Sequence, residues 1–310
     1  VINHYQEDES VLGFYHPVLL LSFYCLVLLI TMFTDDPIVR TLSFLGGLSS
    51  CYITVDRDTF FKNLKLGSFL VFISALSNFL FIHSGATILY ILKFKLFGKN
   101  FRYLFTFESF VYGFLFGIMM FAMLMWFQSL NKVLTTDKVN YLFGRSFPKI
   151  ALILSMVMRF LPMYQRQLRT IQQAQEGLGQ IQGERRIEKA KSGTTIFGSL
   201  FSWALENAIE TSDSMNARGF GLKSRTNFSI FKWRSRDILF SIVIIFLSSC
   251  ILYFFTQESF KFNYYSKLHY VRKDNLKSIL GYCVVILTFS IPVLVEVKEW
   301  LKWRYLVSKI

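Results

Sequence analysis

Acidic side chains are scarce in this chain. Its 310 residues hold 20 Asp and Glu against 34 Lys and Arg, and charged residues of both signs reach only 17%. An average soluble protein carries about 25%, so a water-soluble enzyme of ordinary composition is excluded. Acidic residues are also missing where an ion path would need them. Buried ionisable groups mark proton and ion routes through membranes, yet five of the six apolar runs described below have no acidic residue in their cores. A stand-alone carrier or channel therefore lacks its polar path, and any transport must draw its energy from elsewhere.

Other absences narrow the field further. Cys25, Cys51, Cys250 and Cys283 all lie inside apolar runs without CxxC spacing, and read as small hydrophobes. His4, His16, His83 and His269 stand singly, with no i, i+4 pair of the kind a helical zinc site uses. No metal and no bound cofactor is expected. The run Gly219-Phe220-Gly221-Leu222-Lys223-Ser224 is no phosphate loop, because Leu222 interrupts the required Gly-Lys-Ser succession. Asp35/Asp36 and Asp56/Asp58 read as solvated turns, which leaves a membrane enzyme such as a lipid-modifying transferase without a site. Residues 1–10 are polar, with Glu7, Asp8 and Glu9 where a cleavable signal peptide would be basic.

What is present is apolar. Hydrophobic residues make up 53% of the chain, with 35 Phe and a mean hydropathy of +0.41. A spanning helix needs about 20 mostly apolar residues. Six runs approach that length: 18–33, 38–55, 66–82, 109–130, 238–256 and 278–295. Pro37 and the Asp35-Asp36 pair end the first run. Arg40 opens the second, where a long side chain can snorkel. Residues 56–65 read as a polar connection. The pattern predicts an all-α polytopic membrane protein of about six spans, divided as 1–130 (about four spans), 131–237 (an inserted polar region) and 238–310 (about two spans and a basic tail).

The inserted region is strongly basic: residues 129–237 hold 17 Lys and Arg against 8 Asp and Glu, within a net charge of +14. Nucleic-acid binding is one reading of such a patch. In a membrane protein the commoner cause is retention of Lys and Arg on the cytoplasmic side, so no nucleic-acid partner is expected. Six spans then place the inserted region and both termini in the cytoplasm. One loop opposes this topology, because Lys93, Lys95, Lys99 and Arg102 fall between the third and fourth runs. Either that segment is a partly buried hairpin or the span count is off by one.

Within the inserted region, Thr135-Thr136-Asp137 reads as a helix cap and residues 147–162 as an interfacial or re-entrant helix. Two amphipathic helices follow. Leu161, Tyr164, Leu168, Ile171, Leu178 and Ile181 recur at helical spacing in the first. After a charged connection at 184–193, the pairs Ile196/Phe197, Leu200/Phe201, Ala204/Leu205 and Ala208/Ile209 stripe the second. It closes on Ala217-Arg218-Gly219. Arg218 has a structural reading, as a cation complementing a helix C-terminus with Gly219 as left-handed cap. It has a functional one too: the small flanking residues leave a narrow tip whose guanidinium can form a forked pair with a partner carboxylate. The two are compatible.

The run Ser212 to Phe220 resembles the second Ala-Arg-Gly signature of the T component of energy-coupling factor (ECF) transporters. Thr135-Thr136-Asp137, followed by Phe147-Pro148 and by Met158-Arg159-Phe160-Leu161-Pro162, resembles the same family, as does Glu108-Ser109-Phe110-Val111-Tyr112-Gly113 at the fourth run. The resemblance covers roughly residues 85–222 in the family's order. It implies a membrane scaffold with two long cytoplasmic coupling helices, joining two ATP-binding-cassette ATPases to a small substrate-binding membrane subunit for vitamin or micronutrient uptake. ATP would be bound and hydrolysed by the partners, and the arginine of each signature would dock on one ATPase. One departure stands out. The first signature falls near Ala174-Gln175-Glu176-Gly177-Leu178-Gly179, where Leu178 replaces the arginine and Gly179 is kept. That tip docks by apolar packing, or Arg185 or Arg186 substitutes, or the contact is altered. The substrate itself is not legible here.

Overall fold

The computed structural model describes residues 11–307, apart from 83–84, 86, 97–98, 147, 180–185, 221–230, 265–268 and 271–274. The chain divides into two compact units, one of residues 1–138 and 231–310, the other of residues 139–230.

The first unit contains six long helices among its described residues: α1 Pro17–Phe33, α2 Pro37–Thr54, α3 Arg57–Phe81, α4 Phe107–Val133, α8 Ser235–Thr256 and α9 Asn275–Val307. Four of them, α3, α4, α8 and α9, are long and apolar enough to cross a membrane, while α1 is equally apolar but shorter. The chain is an all-α polytopic membrane protein. Its helix starts obey local chemistry. Pro17 and Pro37 each sit in a first turn, where no N–H is needed. The Asp36 carboxylate caps α2 by accepting from the Ile38 N–H at 2.8 Å.

One expectation is overturned in this unit. Residues 57–65 are no connection but the opening turns of α3, since Arg57, Lys62 and Lys65 are good helix formers despite their polarity. β1 Ile88–Leu96 pairs antiparallel with β2 Lys99–Thr106, so the basic loop is a hairpin. Tyr90 and Ile91 within it are exposed, and its base is tied by Glu108, whose carboxylate accepts from the Thr87 N–H at 3.0 Å. The basic tail is helical through Val307, as the end of α9. A shorter hairpin, β3 Phe262–Asn263 with β4 His269–Tyr270, joins α8 to α9.

Lipid tails are as apolar as leucine, so helices in a bilayer associate through close packing and hydrogen bonds rather than hydrophobic burial. Both devices are present. Trp126 of α4 is fully buried, donates to the Ser43 carbonyl at 3.1 Å, and meets the rings of Phe23, Tyr24 and Phe289. Gly46 and Gly47 admit it, since a Cβ on either would lie 3.1–3.2 Å from its indole. The Ser129 hydroxyl joins Tyr24, Ser50 and Thr54 in one buried network across α1, α2 and α4. Gly113 and Gly117 on α4 form a GxxxG seam for α3. A Cβ on Gly113 would meet Asn78 Cβ at 2.5 Å, and one on Gly117 would meet Val71 Cα at 2.7 Å.

Related contacts gather at each end of this unit. At one end Arg236 donates to the Phe14 carbonyl at 3.2 Å, His16 stacks on Trp233, and the buried Lys138 ammonium donates to the Val133 carbonyl at 2.6 Å. At the other end Arg40, 2% exposed, pairs with Asp35 at 2.7 Å. Tyr264 donates to the Asp35 carbonyl, and Tyr282 donates to Asp36 at 2.6 Å. The Arg40 guanidinium donates to the Asp35 carboxylate and, through Nε at 3.1 Å, to the Thr34 carbonyl.

Candidate docking tips

The second unit is built on two long helices, α6 Pro148–Gly177 and α7 Arg186–Ala217, preceded by α5 Thr136–Ser146, which begins in the first unit. Residues 148–162 are the first half of α6, continuous with the amphipathic stretch that follows. Pro162 sits inside α6 without ending it. The 184–193 segment expected as a connection is helical from Arg186 onward.

Where α6 and α7 meet, their half-buried positions repeat every three to four residues. Phe160, Tyr164, Leu168 and Ile171 line α6, and Ile196, Leu200, Trp203, Ala204, Asn207 and Thr211 line α7. Tyr164 and Trp203 meet edge to face with centroids 5.6 Å apart. The expected apolar stripe of α7 therefore splits. Ile196, Leu200 and Ala204 are half-buried like Trp203, whose ring meets α6, while Phe197, Phe201, Leu205 and Ile209 form a second stripe that stays exposed. On α6 an exposed stripe of Ile150, Ile153, Val157 and Leu161 runs beside the packed one. Hydropathy alone could not separate these faces, because an apolar width beyond one partner's footprint looks like a single broad stripe.

The two helix ends share one geometry. At the end of α7 the Gly219 N–H donates to the Asn216 carbonyl at 3.0 Å and the Phe220 N–H to the Met215 carbonyl at 3.0 Å. Gly219 adopts φ 78°. This is a Schellman cap, with the left-handed residue at the position that favours glycine. At the end of α6 the Gly179 N–H donates to the Glu176 carbonyl at 3.0 Å, and Gly179 has φ 72°. The residue before each glycine bonds back four residues, Leu178 to Ala174 and Arg218 to Ser214. Leu178 and Arg218 thus occupy the same capping position on their helices. Ala174-to-Gly179 and Ser214-to-Gly219 thus share two backbone bonds and a left-handed glycine, a common form of helix end.

The side chains at the paired positions differ in chemistry. Arg218 is exposed, and among the described residues no carboxylate pairs with it. Ala217 beside it is exposed as well. Leu178 is 70% exposed, and its neighbour Glu176 lies where the second tip has Asn216. One tip therefore presents a lone cation and the other an isobutyl group flanked by a carboxylate. Of the alternatives for the missing cation, Arg185 lies outside the described residues, as do Gly221, Leu222, Lys223 and Ser224. Among the described residues no cluster of His, Cys, Asp and Glu could hold a metal ion.

These geometries make a direct prediction about local stability. Gly219→Val is expected to fray the last turn of α7, because left-handed backbone costs a non-glycine residue roughly 1–2 kcal/mol. Gly177 is helical, and a Cβ there meets nothing within 4 Å. Gly177→Ala should therefore firm the end of α6 by about 0.5–1 kcal/mol. Amide hydrogen exchange over residues 212–219 and 172–179 reads both effects. Unchanged exchange in Gly219→Val would contradict the cap.

The fold defines a polytopic helical membrane protein carrying two glycine-capped helices in a separate unit. The family profile of the cobalt transport protein CbiQ matches residues 9–230, and the chain belongs to that family, the T components of ECF transporters. It is 35% identical over 102 residues to the energy-coupling factor transporter transmembrane protein EcfT 1 of Listeria monocytogenes serotype 1/2a (strain 08-5578), covering 32% of this chain and 38% of that protein. It is 32% identical over 110 residues to EcfT of Lactobacillus helveticus (strain DPC 4571), covering 35% and 40%. Against EcfT of Streptococcus equi subsp. equi (strain 4047) it is 34% identical over 101 residues, covering 32% and 38%. The aligned stretches thus span about two fifths of these relatives' lengths.

Proposed function

We propose that this chain is the energy-coupling membrane subunit of an ECF-type importer of a vitamin or micronutrient. In this reading the tips at Ala217-Arg218-Gly219 and Leu178-Gly179 each dock on one of two ATP-binding-cassette ATPases. The partners bind and hydrolyse ATP, while this chain carries no catalytic residue and no cofactor. ATPase closure moves the tips, and the rigid helices α6 and α7 pass that motion to a small substrate-binding membrane subunit. The exposed stripes Ile150-Ile153-Val157-Leu161 and Phe197-Phe201-Leu205-Ile209 suit an apolar partner of that kind. The observation that carries the reading is the pair of helix ends with one backbone geometry, a duplicated device that suits two like partners. The excess of Lys and Arg between residues 129 and 237 favours a cytoplasmic position for this region and for both termini.

Gentle solubilisation of the natural membrane tests the reading. Purification of the tagged chain is expected to bring down two ATPase chains and one small membrane protein. Recovery of the chain alone, with intact fold, would contradict it.

A further inference from the structure

Helix α3 is the least enclosed helix of the membrane unit. Among its described residues only Gly67 and Ala75 are buried, and its principal neighbour is α4, which it meets along the Gly113/Gly117 seam. Close approach at that seam leaves a groove beside it, of about 740 Å³. Phe72 and Phe79 of α3 and Phe107, Phe110 and Phe114 of α4 line it, and Ser68 is the one polar residue of the lining. The groove opens on the face where these rings are exposed or half-buried.

Its length and charge point to one kind of occupant. From Ser68 to Phe79 the groove follows α3 for about 16 Å, roughly half the ~30 Å hydrocarbon thickness. That is the depth of one leaflet. A partner's spanning helix would need contact along the whole thickness, whereas one extended hydrocarbon tail fits half of it. Ser68 marks the polar end. One turn beyond it lies the exposed Lys65, and another turn out lies the exposed Lys62, with Arg57 and Asp58 at the helix start. The local balance is positive, and lysine stems can lie along an apolar surface while their ammonium groups reach the headgroup level. The opposite end has the reverse character, since Glu108 is buried beside Phe107.

We propose that the α3–α4 groove binds one acyl chain of an anionic phospholipid, whose headgroup phosphate is held by Lys62 and Lys65. The site is independent of tip docking, because every residue in it belongs to the membrane unit. A lipid seated there completes the packing of a helix that otherwise leans on a single neighbour.

The test uses the full chain in nanodiscs of equal phosphatidylglycerol and phosphatidylcholine, with retained lipids counted by native mass spectrometry after release. Wild type is expected to keep one phosphatidylglycerol in preference to phosphatidylcholine. Lys62→Gln with Lys65→Gln should erase that preference, by roughly fivefold for each lysine removed, and should leave a lipid of either headgroup in place. Ser68→Trp, at an exposed position away from the glycine seam, should lose the retained lipid altogether. Equal retention of the two lipids by wild type would overturn the headgroup assignment. Unchanged retention in Ser68→Trp would overturn the groove as the site. A photoreactive group at Leu76 that captures a partner protein rather than lipid, in the assembled complex, would overturn the occupant.

Discussion

Arg218→Glu is expected, on the proposed function, to abolish stable capture of an ATPase partner through the second tip, while membrane insertion and fold stay intact. The guanidinium is exposed at a rigid helix end, and no carboxylate of the described residues competes for it. Its side chain is therefore available for a forked pair across an interface. Removing one member of a desolvated charge pair costs about 2–5 kcal/mol, and reversing its sign places like charges together. The Schellman cap depends on backbone and on Gly219, not on the arginine side chain, so the substitution should leave α7 unchanged. Pull-down of ATPase chains at matched expression measures the effect. Equal recovery by wild type and variant, with equal ATP-driven uptake, would sink the assignment of Arg218 as an anchor.

Gly117→Leu should have the largest effect on the membrane unit itself. A Cβ at Gly117 would stand 2.7 Å from Val71 Cα and 3.1 Å from its carbonyl oxygen. The obstacle is backbone rather than the free end of a side chain, so α3 must move away as a whole. Overpacking of this kind costs about 1–3 kcal/mol, and α3 has little else to hold it. Gly198→Leu is the control, since a Cβ at Gly198 meets nothing within 4 Å. Reversible unfolding in mixed detergent reads the difference. A Gly117→Leu variant as stable as Gly198→Leu would show that the GxxxG seam is not what binds α3 to α4.

Most of the membrane architecture was legible because spanning helices announce themselves by length and hydropathy. Residues 18–33 and 109–130 fall within α1 and α4, and 238–256 within α8. What escaped detection lay where that signal is silent. Residues 57–65 are polar yet helical, because helix propensity and not hydropathy governs the turns outside the hydrocarbon. The β1–β2 hairpin was offered only as one of two explanations for a misplaced basic loop, since alternating Leu-Lys-Phe-Lys in residues 92–95 is a strand pattern embedded in an apolar tail. At the tips, Gly219 was readable as a left-handed cap from residue type, whereas the left-handed φ of Gly179 was not anticipated. That Leu178 stands where Arg218 stands rests on family resemblance; both residues precede a left-handed glycine and bond back four residues, to Ala174 and Ser214. The split of α7 into a packed and an exposed stripe needed the second helix, because a lone sequence does not say how wide a partner's footprint is.

The two tips share a backbone and differ in charge, and this yields the most direct test of the coupling account. Photoreactive residues placed separately at Gly177 and Ala217, one beside each tip residue, would be cross-linked in the assembled complex across a salt series. Each tip is expected to capture an ATPase. Capture beside Arg218 should fall as salt rises, because partly exposed ion pairs are screened over about 10 Å at 0.1 M ionic strength. Capture beside Leu178 should persist in salt and be lost in Leu178→Asp, which places a charge against an apolar surface. Failure of either tip to capture an ATPase would contradict the account, and identical salt dependence at both would contradict the distinct role of Leu178.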